Sequence, residues 1–196
     1  SSVGFGGPGH AGGGLFVSRS GSGSGPTVSM TNTTITNNLS GNSSGGGIRV
    51  DRGAVHVQNT IIAGNSGRDT SGRGRLVNLG NSIIGGSPGL GPLQDNGGPT
   101  RTHAPLPGSP AIDTGNNVIA AVTDQRGRNR LRDGNSDGIA VVDIGAVEFA
   151  ANSVEFSFDQ QSRQLSITAN GSANTRVFVV NDEVFISSSN GFVESN

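Results

Sequence analysis

The chain is predicted to be all-β: a β-solenoid of short stacked coils over residues 1–94, a Pro- and Gly-rich closing element over 95–150, and a small antiparallel β unit over 151–196. Two repeated phrases and one change of composition carry this prediction. The phrase Ala11-Gly12-Gly13-Gly14-Leu15-Phe16-Val17 returns as Ser44-Gly45-Gly46-Gly47-Ile48-Arg49-Val50, 33 residues later. A second phrase, Asn32-Thr33-Thr34-Ile35, returns as Asn59-Thr60-Ile61-Ile62 after 27 residues and as Asn81-Ser82-Ile83-Ile84 after a further 22. After Phe149 glycine thins out and longer runs of alternating apolar residues begin.

The unequal offsets have a local source. The first unit holds Ser18-Arg19-Ser20-Gly21-Ser22-Gly23-Ser24-Gly25-Pro26, a Gly/Ser-rich stretch that reads as a loop insertion. Within the units, Thr27-Val28-Ser29-Met30-Thr31 and Ala54-Val55-His56-Val57-Gln58 alternate with period two, the mark of a half-buried strand. Short strands separated by Gly, Asn and Ser, repeated every 20–30 residues, suit coils stacked in parallel. Ile35, Ile62 and Ile84 would pile up inside, and Asn32, Asn59 and Asn81 would form an Asn ladder at a bend. No helix is required: Thr27 to Ser40 lacks Gly and Pro but is rich in Thr and Asn, weak helix formers.

Pro99, Pro105, Pro107 and Pro110 fall in the segment Asp95 to Gly115. They cannot donate to a ladder, so this segment is expected to end regular coiling and to wrap the end or side of the coils. Beyond it, Ser153–Phe158, Gln164–Thr168, Arg176–Val180 and Glu183–Ser187 read as four strands, with Asp159–Arg163 and Asn181-Asp182 as hairpin turns.

Composition bounds the function. There is no Cys, so neither disulfides nor thiolate metal sites exist, and there is no Lys, so all positive side-chain charge is guanidinium. A net charge of −1 without a basic block argues against nucleic acid as a partner. The local excess Arg126, Arg128, Arg130, Arg132 is flanked by Asp124, Asp133 and Asp137 and reads as a solvated, self-paired loop. No apolar run is long enough for a membrane-spanning helix, and no signal peptide opens the chain, which starts at Ser1 inside repeat material. We read it as a piece of a longer exported polypeptide.

Asn59-Thr60-Ile61-Ile62-Ala63-Gly64-Asn65-Ser66, Leu79-Gly80-Asn81-Ser82-Ile83-Ile84-Gly85, the Asp95–Gly115 segment, Thr123-Asp124-Gln125-Arg126-Gly127 and Val142-Asp143-Ile144-Gly145-Ala146-Val147-Glu148-Phe149 follow one another in an order that resembles the choice-of-anchor Q family. That family is similar to the polymorphic outer-membrane-protein repeats and to the pectin-lyase-like class. The resemblance covers roughly residues 12–149 and implies a right-handed parallel β-helix on an extracellular or cell-surface bacterial protein; it implies no reaction. Members often carry a Cys before each of the last two phrases. Here those places read Ala120-Ala121-Val122 and Val141-Val142, so apolar packing is expected to replace a bridge.

Several constellations invite chemistry. Gly7-Pro8-Gly9-His10-Ala11-Gly12 spells a dinucleotide loop but lacks the strand and helix that motif needs. Asp133, Asn135 and Asp137 alternate and are followed by Gly138, which suits either a calcium loop or a plain Asx-rich turn; position twelve is Ile144, not a bidentate acid. Calcium is thus the one candidate ion, and no cofactor is required. Asp113, Asp124, Asp143 and Glu148 could serve a lyase or glycosidase, but each has a structural reading: Asp113 in a turn, Asp124 paired with Arg126, Asp143 capping a strand. Scattered His10, His56 and His103 do not make a metal site, and a chain without Trp or Tyr is poorly equipped to stack sugars.

The expected function is therefore a non-enzymatic surface structural protein. Its partners would be copies of itself, stacked head to tail into a filament, or adjacent domains. Val177-Phe178-Val179-Val180 is the candidate edge strand for that assembly. A carbohydrate-active β-helix enzyme and an adhesive module are the alternatives.

Overall fold

Glycine corners and paired β-branched residues turn the chain through repeated short strands. The computed structural model describes residues 13–40 and 45–150 in full. It also describes the backbone course of strands at Ser2–Gly4 and beyond residue 150. β1 (Ser2–Gly4) is followed by β2 (Leu15–Ser18), β3 (Thr27–Thr31) and β4 (Thr34–Ile35), then β5 (Ile48–Val50), β6 (Ala54–Gln58) and β7 (Ile61–Ile62), then β8 (Thr70–Ser71), β9 (Arg75–Asn78) and β10 (Ile83–Ile84).

The strands β2 to β10 make three passes, each giving one strand to each of three parallel sheets. The sheet orders are β1-β2-β5-β8, β3-β6-β9 and β10-β7-β4. The register matches the repeats: Leu15 lies beside Ile48, Thr27 beside Ala54 and Ile35 beside Ile62, which in turn lies beside Ile84. Between the first two sheets, residues 19–26 of the first coil stand where residues 51–53 suffice in the second, as the insertion predicts. β1 runs antiparallel to β2 and covers its outer edge.

The interior row of Leu15, Val17, Ile35, Ile48, Val50, Val55, Val57 and Ile62 is buried, with Val28, Met30 and Leu76 packed against it. Ile84, the third member of the isoleucine stack, is 37% exposed because it sits on the last coil. Both residues of β7 are buried, since one faces inward and the other outward: Ile62 joins the interior while Ile61 packs with Ala63, Ala111 and Ile144 of the closing element.

That second cluster shows where residues 86–149 go. They lie along the flank of the sheet β10-β7-β4 and touch all three coils. In the first coil the Ala146 N–H donates to Thr34 Oγ1 at 3.0 Å, in the second the Gly145 N–H donates to the Asn59 carbonyl at 2.9 Å, and in the third Asn81 Nδ2 donates to the Thr114 carbonyl at 2.8 Å. The element is held by turns and isolated bridges, Leu90 to Pro105 and Gln94 to Thr102 among them. It also contains one 3-10 turn, η1 (Asn117–Ile119), capped by Asn116, where no helical turn was expected.

The chain divides into two compact units, Ser1–Phe149 and Ala150–Asn196. In the second, β11 (Ser153–Asp159) pairs antiparallel with β12 (Gln164–Asn170), and β13 (Arg176–Val180), β14 (Glu183–Ser188) and β15 (Gly191–Glu194) form an antiparallel sheet. The last strand is an addition to the four expected. Val177–Val180 lies in β13, at an edge of its sheet; its side chains and the turn residues 160–163 and 181–182 lie outside the described residues.

Candidate functional site: a buried carboxylate–guanidinium clasp

Asp124, Asp143 and Glu148 are scattered along the closing element, yet they meet beside the coils in one network with Arg126 and Arg130, and all but Arg126 are buried as whole residues. The turn at Thr123–Asn129 brings Arg126 back on Asp124: the guanidinium donates to Oδ2 through Nε at 2.9 Å and Nη2 at 2.8 Å. Asp124 Oδ1 also accepts the backbone N–H groups of Arg126 and Arg128, and Oδ2 that of Glu148. Arg130 Nη1 donates to Glu148 Oε1 at 2.6 Å and Nη2 to the Gly145 carbonyl at 3.0 Å. Glu148 Oε2 accepts the Asp143 N–H, while Asp143 accepts those of Asp113 and Phe149.

Every carboxylate oxygen of Asp124, Asp143 and Glu148 therefore receives an N–H from the protein. Burial, followed by repulsion from Asp143, pushes Glu148 up to about 8 despite the Asp143 N–H and Arg130. Burial also raises Asp143 to about 6. For Asp124 burial is again the largest influence and acts upward, but Arg126 and the N–H groups of Glu148, Arg128 and Arg126 together outweigh it and leave the carboxyl lowered.

The network joins residues 113, 124–130 and 143–149 to one another, and Gly145 and Ala146 carry it onto the coils. Buried carboxylates whose oxygens are each engaged by a backbone or guanidinium N–H can hold a segment in place, and none is open to a substrate. The pairing of Asp124 with Arg126 agrees with the sequence reading. Three other expectations change. Asp143 caps no strand, because residues 141–143 are irregular and its carboxylate bridges two backbone N–H groups instead. Arg126 and Arg130 are not solvated, with side chains only 5% and 3% exposed. Nor does apolar packing alone tie the Thr123–Gly127 phrase to the Val142–Phe149 phrase: Val142 is buried, but Val122 is 83% exposed, and the ionic clasp makes the tie.

The candidate calcium residues form an Asx-rich turn. Asp133 accepts the N–H groups of Ser136, Asp137 and Gly138; Asn135 Oδ1 accepts that of Asp137; and Asp137 accepts that of Ile139 and the Asn135 amide. Among the described residues no three His, Asp or Glu side chains gather as a metal would require, and no helix is long and apolar enough to cross a membrane. His103 holds the closing hairpin: Nδ1 donates to the Gly91 carbonyl at 2.7 Å, leaving Nε2 to face the Asn37 amide at 3.4 Å. His10 lies outside the described residues.

Comparison with protein-family models, curated proteins and solved structures returned no match.

Proposed function

We propose that the chain is a non-enzymatic structural element of a bacterial surface protein. Its coils wind as a right-handed parallel β-helix, and it joins copies of itself head to tail. The observation that carries this reading is the placement of the closing element on the flank of the coils. β8, β9 and β10 remain edge strands, all belonging to the last coil. Parallel edges of this kind are templates for another strand. At the first coil the antiparallel β1 occupies the edge of β2 while β3 and β4 are edges of their sheets, and β13 supplies a further edge in the second unit. The burial of these carboxylates, with every oxygen engaged by an N–H of the protein, supports a scaffold over a lyase or glycosidase. The extracellular setting rests on the ordered phrases of residues 12–149.

Light scattering coupled to size exclusion tests the assembly. Mass should rise with concentration, and Asn78→Pro, which removes an outward-facing backbone donor from β9 while Arg75 and Leu79 keep their N–H bonds to the Gly53 and Val57 carbonyls, should lower it. A dispersed monomer at every concentration would overturn the reading. Calcium at Asp133, Asn135 and Asp137 is tested separately by whether millimolar calcium raises the melting temperature and Asp133→Asn abolishes the rise.

A further inference from the structure

The coils carry charge of the opposite sign to the rest of the chain. Residues 1–94 contain Arg19, Arg49, Arg52, Arg68, Arg73 and Arg75 against Asp51 and Asp69, whereas residues 95–196 contain seven Arg and twelve acids. Four of those six arginines line one groove. It is an open cleft of about 650 Å³ lined by Ser18 and Arg19 of the first coil, Arg49, Asp51 and Arg52 of the second, and Gly72 and Arg73 of the third. Asp51 is the only acid in the lining.

The positions follow from the coil register. Leu15 pairs with Ile48, so Arg19 and Arg52 occupy equivalent places after the first sheet; Ile48 pairs with Thr70, so Arg73 stands level with Asp51. Guanidinium groups are thus offered along the stacking direction on rungs about 4.8 Å apart. Three of them are fixed by a single donor atom. Arg19 Nη1 donates to the Ser24 carbonyl, Arg52 Nη1 to the Gly21 carbonyl, and Arg49 Nε to Asp51. Each keeps further N–H groups, and Arg73 has no carboxylate partner among the described residues. Anchored guanidinium planes lose little freedom when they bind a planar oxyanion through two parallel bonds.

We propose that this groove binds a linear acidic polysaccharide, with oxyanions of successive sugars meeting arginines of successive coils. The rung spacing is close to the length of one sugar residue. Neither an aromatic ring nor a large apolar side chain lines the groove, so it has no platform for a base or a neutral sugar and no pocket for an apolar protein anchor. Coil stacking requires glycine at one lining position: a Cβ on Gly72 would lie 2.0 Å from the Val50 carbonyl oxygen.

Titration calorimetry of the full chain at low salt, with polygalacturonate, dextran sulfate, neutral dextran and duplex DNA as probes, tests this. Polygalacturonate or dextran sulfate should bind, the preferred one identifying carboxylate or sulfate as the oxyanion, and added salt should weaken binding. Arg49→Gln/Arg73→Gln should reduce affinity about tenfold or more, with unchanged circular dichroism. Arg101→Gln, which removes an exposed arginine outside the groove, should leave affinity unchanged. The proposal is overturned if neither acidic polymer binds, if neutral dextran binds as well, if DNA binds more tightly than both, or if the two variants behave alike.

Discussion

Asn59 and Asn116 exchange two hydrogen bonds: Asn59 Nδ2 donates to the Asn116 carbonyl at 3.0 Å, and Asn59 Oδ1 accepts the Asn116 N–H at 2.8 Å. The same Asn59 amide donates to Asn32 Oδ1 at 3.1 Å, so one buried side chain links two coils and the closing element. Its backbone is left-handed, with φ of 47°, as are those of Asn32 and Asn81. Asn tolerates that conformation better than other residues with a Cβ. Asn59→Ala should therefore cost about 2–4 kcal/mol, from backbone strain together with buried groups left unpaired. Urea denaturation of the variant measures it, and a loss within experimental error would refute the linking role.

Arg130 and Glu148 should behave as a coupled pair. Arg130→Met leaves a carboxylate buried, which costs about 3 kcal/mol, moderated because Glu148 can take up a proton. Arg130→Met/Glu148→Gln should be more stable than Arg130→Met, since the amide still accepts the Asp143 N–H without a charge. A double-mutant cycle in denaturant reads the coupling; additive losses would show that the two residues act separately.

The fold was legible where repetition enforces it. Leu15/Ile48 and Asn32/Asn59/Asn81 each recur at offsets that became strand register and bend. The clasp was harder to see, because Asp124, Asp143 and Glu148 lie in a non-repeating segment whose turns set their meeting. The arginine groove did have a signal: Arg19 and Arg52 are separated by the same 33 residues as the Gly-rich phrases. Charge read along the chain pointed to Arg126–Arg132 instead, because neighbours in sequence are not neighbours between coils.

The clasp also sets a pH dependence. A carboxyl raised by folding favours the folded state fully below its unfolded value and gives this up as pH climbs through the folded one. For Glu148 that window runs from 4.5 to about 8, and for Asp143 from 3.8 to about 6. Asp124 acts in the opposite sense: its contribution is complete above 3.8 and is lost as pH falls through its lowered value. Stability should thus be greatest in mild acid, with a melting temperature several degrees higher at about pH 5 than at about pH 9. Glu148→Gln should flatten the decline. A melting temperature that rises across this range would contradict the assignment.

Close stacking at the coil corners makes a last prediction. A Cβ on Gly47 would lie 2.3 Å from the Asp69 carbonyl oxygen and 2.9 Å from Asn65 Nδ2, while one on Gly46 would lie 2.4 Å from the Asn38 carbonyl oxygen. These obstacles include backbone atoms of adjacent coils, so they cannot rotate away as a flexible side chain would. Gly21 differs: its φ is +87°, but a Cβ there would meet nothing within 4 Å. Gly47→Ala should therefore separate two coils and destabilise the unit by about 2 kcal/mol or more, whereas Gly21→Asn should cost about 1 kcal/mol or less. Thermal melts of the two variants decide it. Equal losses would refute the approach of the neighbouring coil as the reason for glycine at position 47, whose φ is not left-handed.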